Sequence, residues 1–176
     1  MTHLIQKYYA DNPALHQLLL THSRSVADKA LDIVRRHPEL GADAHFVEQA
    51  AMLHDIGIFL TNAPGIHCHG KHPYIMHGIL GGKLMRQEGL PNIARVCERH
   101  TGTGITQEDI ISRHLPLPPG NYEPQTIEEQ IVCYADKFFS KSHPQRVRTV
   151  DETAKSLEKY GSQGGKRLME WAERFE

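Results

Sequence analysis

Apolar residues recur along most of this chain at a spacing close to 3.6, the signature of helices with one buried face. The longest such stripe is Leu15, Leu18, Leu19, Val26, Ile33 and Val34. Asn12-Pro13 ahead of it reads as an N-cap and a first helical residue, and His37-Pro38 closes it. A helix is therefore expected to run from Asn12-Pro13 to about Arg36, with His22 on its apolar face. Asp43 reads as the cap of a second helix, about 44–56, with Gly57 at its exit. A third is expected over about 73–88, ending before Gly89. A fourth opens at Pro91 and ends near His100, its face made by Ile93, Val96 and Cys97. Thr106 with Asp109, and Thr126 with Glu129, are capping boxes that start two more helices. The second of these buries Ile127, Ile131, Tyr134, Ala135 and Phe138. Two last helices, about 151–160 and 163–175, part at Gly161 and cap the bundle. No stretch alternates convincingly as a strand would. The expectation is an all-α, single-domain helical bundle over residues 1–176, with its core at about 15–140.

Composition narrows this further. The chain of 176 residues is long enough for one domain with a real core. No apolar run approaches the roughly 18 residues of a membrane span, and Met1–Lys7 lacks the shape of a signal peptide. Cys68, Cys97 and Cys133 are odd in number and far apart, which predicts a reducing, cytoplasmic setting. The balance of 20 basic and 21 acidic residues argues against a membrane or an extended nucleic-acid surface, while leaving room for a small anionic ligand. Nothing sets an oligomeric state. The outlying count is 13 histidines.

Several of these histidines stand where polar groups are costly. His54-Asp55 ends the apolar run Ala51-Met52-Leu53, and His22, His77, His100 and Asp136 each lie within or beside a helix in apolar company. One buried His-Asp pair can satisfy itself by hydrogen bonding; a carboxylate such as Asp136 needs a partner, either a metal or else Lys137 or an arginine. Six such positions point to metal. Four imidazoles and two carboxylates suit Fe, Mn, Co or Zn. Gly78, Gly81 and Gly82 crowd one turn and predict close packing. The loop at 58–72, with His67, His69 and His72, is placed as a rim over the site.

The doublet within His54-Asp55-Ile56-Gly57, with flanking histidines and a late aspartate, resembles the HD superfamily in its HDIG form, over roughly residues 15–140. The stretch from Arg99-His100 to Tyr134-Ala135-Asp136 is also similar to a small branch of uncharacterised prokaryotic HD proteins. The resemblance implies that His22, His54, Asp55 and Asp136 hold one divalent ion, and that His77 and His100 hold a second, with Asp55 bridging. Fe or Mn is favoured, with Zn, Co and Ni also admissible. The two ions and two carboxylates would leave the site cationic. The implied activity is a metal-dependent phosphohydrolase that attacks a nucleotide or other small phosphate ester with a metal-activated hydroxide. Asp55 and Lys83 are its expected catalytic residues. Lys83, Arg24, Arg86, His69 and Lys137 are the expected substrate contacts, with Arg99 a further cation. The alternative that the same ligands imply is a mixed-valent di-iron oxygenase of the inositol oxygenase type.

Overall fold

The computed structural model describes residues 2–158 and 162–176; Gly161, the expected break between the last helices, lies outside them. Among the described residues the helices are α1 (Thr2–Tyr9), α2 (Pro13–Arg36), α3 (Ala44–Leu53), α4 (His77–Gln87), α5 (Pro91–Arg99), α6 (Gln107–Ser112), α7 (Ile127–Asp136), α8 (Val150–Glu158) and α9 (Ser162–Phe175). The expected all-α bundle is what forms. α2 is its axis, packed on α3 and α7, while α4 pairs with α5 and α8 with α9.

The local signals act as their chemistry requires. Asn12 Oδ1 accepts the Leu15 N–H at 3.1 Å, and Asp43 Oδ1 accepts those of His45 and Phe46. Both capping boxes are complete, at Thr106–Asp109 and Thr126–Glu129. Glu129 is also buried and is held by Arg95 and Arg99. Leu15, Leu19, Val26, Ala27, Ala30 and Ile33 of α2 meet Val47, Ala50 and Leu53 of α3 and Ile131 and Tyr134 of α7 in a continuous core.

The structure adds elements that the pattern did not announce. α1 buries Leu4, Ile5 and Tyr9, and the Tyr9 hydroxyl donates to the Ile56 carbonyl at 2.9 Å. Two short antiparallel pairs correct the expectation of no strands. β1 (Asn62–Ala63) pairs with β2 (Cys68–His69), and β3 (Phe139–Ser140) pairs with β4 (His143–Val147). Every residue of β4 is exposed, so no alternation could mark it. The second helix ends at Leu53 rather than 56, and tight turns follow: Ile56 N–H to Leu53 O and Ile58 N–H to Asp55 O, both 3.0 Å. Gly57 keeps right-handed backbone angles, so positive φ is not its role. A Cβ there would lie 2.3 Å from the His77 carbonyl oxygen and 2.4 Å from Gly81 N. Glycine is needed because α4 passes directly against the turn.

Candidate metal centre

Five elements deliver the six expected ligands to one place. α2 brings His22, the turn after α3 brings His54 and Asp55, α4 brings His77, the end of α5 brings His100, and α7 brings Asp136. All six are buried. Donor atoms of His22, His54, Asp55 and Asp136 lie within 4.8 Å of one another, and so do those of Asp55, His77 and His100.

The Asp55 carboxylate divides its two oxygens between these groups. Oδ2 lies 3.2 Å from His22 Nε2 and 3.0 Å from His54 Nε2. Oδ1 lies 3.5 Å from His77 Nε2 and 3.4 Å from His100 Nε2. Asp136 Oδ1 completes the first group, 3.0 Å from His22 Nε2 and 3.5 Å from His54 Nε2.

Three of the imidazoles share one local device. Nδ1 of His54, His77 and His100 faces the backbone carbonyl three residues earlier, at Ala51 (2.6 Å), Tyr74 (2.7 Å) and Cys97 (2.7 Å). A carbonyl can only accept, so each Nδ1 carries the proton and Nε2 is turned to the centre. Burial depresses His77 to about 3, and it lowers His100 as well, so both rings are neutral. Their Nε2 atoms nevertheless stand 3.0 Å apart, lone pair to lone pair, with no proton between them. Such a contact calls for a cation. Both ring nitrogens of His22, Nε2 of His54 and both Asp55 oxygens make no well-aligned hydrogen bond, although they are buried. The donor set fits divalent metal ions on these grounds.

Without metal the two carboxylates are neutralised by cations of the chain itself. Burial would raise Asp55, but Lys141 and His54 overcome it and hold its carboxyl well below the usual range. Burial likewise opposes ionisation of Asp136, which Lys137 and Lys141 hold low. Burial alone would depress His54, yet Asp55 and Asp136 outweigh it and raise the ring to about 9.

The other expected contacts fare differently. Lys137 is at the centre: its Nζ donates to Asp136 Oδ2 at 2.6 Å and to the His100 carbonyl at 2.8 Å. Lys83 is exposed on α4, and six residues past His77 it points roughly 120° away from that ring. Arg24 is paired with Asp28 and Glu48, Arg86 with Glu98, and Arg99 with Glu129. The structure does not bring Lys83, Arg24, Arg86 or Arg99 to the cluster, because each lies on a helix surface or in a pair of its own. His69 is exposed; the loop's contribution is Ala63–Ile66, which walls a cavity.

Sequence reasoning missed Lys141. It follows Ser140 at the end of β3 and places Nζ 2.5 Å from Asp55 Oδ2. The only sequence signal was a lysine five residues past Asp136, in a polar run.

Two cavities flank the centre and share Tyr74, Gly102 and Leu157 as a partition. The one reaching Asp136, about 600 Å³, is lined by Lys137, Lys141, Arg148, Ser140 and Ser142. The one reaching His77, about 730 Å³, is lined by Thr101, Thr103, Glu108, Arg113, Gln163 and Arg167 among others. The last two helices thus do more than cap the bundle: Gln163, Gly164 and Arg167 of α9 help to form this second wall.

A helical bundle closed around a histidine–aspartate cluster of this kind is the HD architecture. The HD domain model matches residues 19–140, and the chain belongs to that family. Over 144 residues it is 34% identical to an uncharacterized protein of Methanocaldococcus jannaschii, covering 80% of this chain and 76% of that one. It is 36% identical over 138 residues to a tRNA (cytidine(56)-2'-O)-methyltransferase of Thermoplasma volcanium, covering 78% of this chain but 35% of that protein. The similarity to the Picrophilus torridus enzyme of the same name is 35%, over 33% of its length. The chain thus spans about a third of these two relatives. Among solved structures, the HD domain of the L. monocytogenes phosphodiesterase PgpH shares the fold, with a TM-score of 0.55, 18% identity and coverage of 94% of this chain and 92% of that one. The same domain in complex with cyclic-di-AMP superposes equally well, at 17% identity.

Proposed function

We propose that this chain is a metal-dependent phosphohydrolase with a dinuclear centre, acting on a nucleotide or another small phosphate ester. The observation that carries it is the convergence of carbonyl-locked Nε2 atoms on the two oxygens of Asp55. Divalent ions in such a site supply an activated water and polarise a phosphoryl group. His22, His54, Asp55 and Asp136 would hold one ion, and His77, His100 and Asp55 the other. Lys137, fixed by Asp136 and the His100 carbonyl, adds positive charge where a phosphoryl oxygen would gather its own. The Lys- and Arg-lined cavity suits phosphate. The neighbouring one, with its threonines and mixed charges, suits the organic part of the ester.

The PgpH domain's complex with cyclic-di-AMP makes nucleotide diesters worth including beside monoesters. We do not carry methyl transfer to this chain, since it matches only about a third of the relatives so named, and the residues gathered here are metal donors.

The test is phosphate or nucleotide release from a panel of mononucleotides, dinucleotides and cyclic dinucleotides, by protein loaded with Mn, Fe, Co or Zn. Metal per chain is measured alongside. Near two ions in the wild type, near one in His77→Ala, and less metal with a lower Tm in Asp136→Ala are expected. Oxygen uptake by the ferrous protein with no ester cleaved would replace this reading with the oxygenase.

A further inference from the structure

Lys141 is ion-paired with the carboxylate that both proposed metal groups need. Its ammonium lies 2.5 Å from Asp55 Oδ2, the same oxygen that His22 Nε2 and His54 Nε2 approach. An ammonium carries three N–H donors and no lone pair, so it can neutralise Asp55 but cannot ligate. A divalent cation taken up by His22, His54, Asp55 and Asp136 would have to share that carboxylate oxygen with it, and two cations so close repel. That repulsion favours displacement of the ammonium.

The surroundings show where the lysine can go. Lys141 is carried on the β3–β4 hairpin, whose second strand is exposed along its whole length. Its side chain forms part of the wall of the cavity beside Asp136, together with Ser140, Ser142 and Arg148. A four-carbon stem lets the ammonium swing from Asp55 into that cavity while the hairpin stays in place. Lys137 has no such freedom, being tied to Asp136 Oδ2 and the His100 carbonyl.

We propose that Lys141 is a built-in counter-cation with two successive partners. In the metal-free chain it neutralises Asp55. When metal enters it is displaced into the cavity, and there it holds the anionic oxygen of the substrate's phosphate. This rests on the reading of the cluster as a metal centre. It carries two consequences of opposite sign: Lys141 competes with metal and supports anion binding. A residue that merely braced the hairpin would move both in the same direction.

The experiment compares the chelator-stripped wild-type chain with Lys141→Met, which keeps the stem and removes the charge, and with Lys141→Arg. Mn2+ binding is followed by titration calorimetry, and then inorganic phosphate binding to each Mn-loaded protein. Lys141→Met is expected to bind Mn2+ about tenfold more tightly and phosphate about tenfold more weakly. Lys141→Arg is expected to retain most of the phosphate affinity. If stripped Lys141→Met does not fold, Lys141→Gln takes its place. Equal or weaker Mn2+ binding by the uncharged variant, or unchanged phosphate binding, overturns the proposal and leaves the metal-centre reading standing. Wild type that takes up no Mn2+ overturns both.

Discussion

Gly57→Ala tests how closely the chemistry depends on helix packing. The added methyl would sit 2.3 Å from the His77 carbonyl oxygen, 2.4 Å from Gly81 N and 2.8 Å from Gly81 Cα, all backbone atoms of α4. Ordinary contact needs about 3.5 Å, so α4 and the turn must separate by about 1 Å. His77 is the first residue of α4 and moves with it. Metal sites tolerate changes of only about 0.2 Å in ligand distance. The ion proposed for Asp55, His77 and His100 should therefore be lost. The one proposed for His22, His54, Asp55 and Asp136, none of which lies on α4, should be kept. Overpacking of this kind costs about 1–3 kcal/mol, or roughly 2–12 °C in Tm for a chain of this size. Elemental analysis of Mn-loaded protein and thermal melts provide the two readouts. Gly65→Ala is the control, since a Cβ there meets nothing within 4 Å. Two ions per chain and a wild-type Tm in Gly57→Ala would refute the reasoning.

Further outcomes follow from other contacts. Tyr9→Phe strands the buried Ile56 carbonyl and should cost about 1–3 kcal/mol in denaturant unfolding with metal content unchanged; a cost below 0.5 kcal/mol would deny α1 its part in bracing the turn. The stripped protein should be most stable near pH 6.5, the ordinary histidine value. Above it, His54, raised to about 9, keeps a proton that the unfolded chain has lost, and that stabilisation fades as pH rises through 9. Below it, the unfolded chain protonates His77 and His100 while the folded chain resists, so stability falls again. Toward pH 4 and below, the low-held Asp55 and Asp136 add a loss of the same sign. Melts in chelator from pH 4 to 10 check this, and a Tm that is level from pH 5 to 9 would contradict it.

The helix starts were legible because their signals are local: Asn12, Asp43, Thr106 and Thr126 each cap a helix through atoms two or three residues away. The six clustered histidines and aspartates were legible because polar residues among apolar ones are costly unless something unites them. α1 was missed although Leu4 with Tyr8 and Ile5 with Tyr9 keep the i, i+4 spacing, since eight residues are too few for a periodicity to stand out. Lys141 was missed because β3 is two residues long and β4 is exposed throughout, so neither carries a pattern, and its contact with Asp55 spans 86 positions in the chain. Lys83 was chosen by its nearness to His77 in sequence, where the angle around the helix was the relevant distance.

The hydrogen bonds from His54, His77 and His100 to carbonyls three residues back bear on how quickly a metal ion could come and go. A ligand on a free rotamer lets go by turning about its own bonds. These rings are leashed to the backbone of their own turns, so withdrawing one also breaks its Nδ1–H bond to that carbonyl, at a cost of about 0.5–1.5 kcal/mol. Release of an ion would carry that added cost at each of the three rings, and the turns themselves would lengthen its residence.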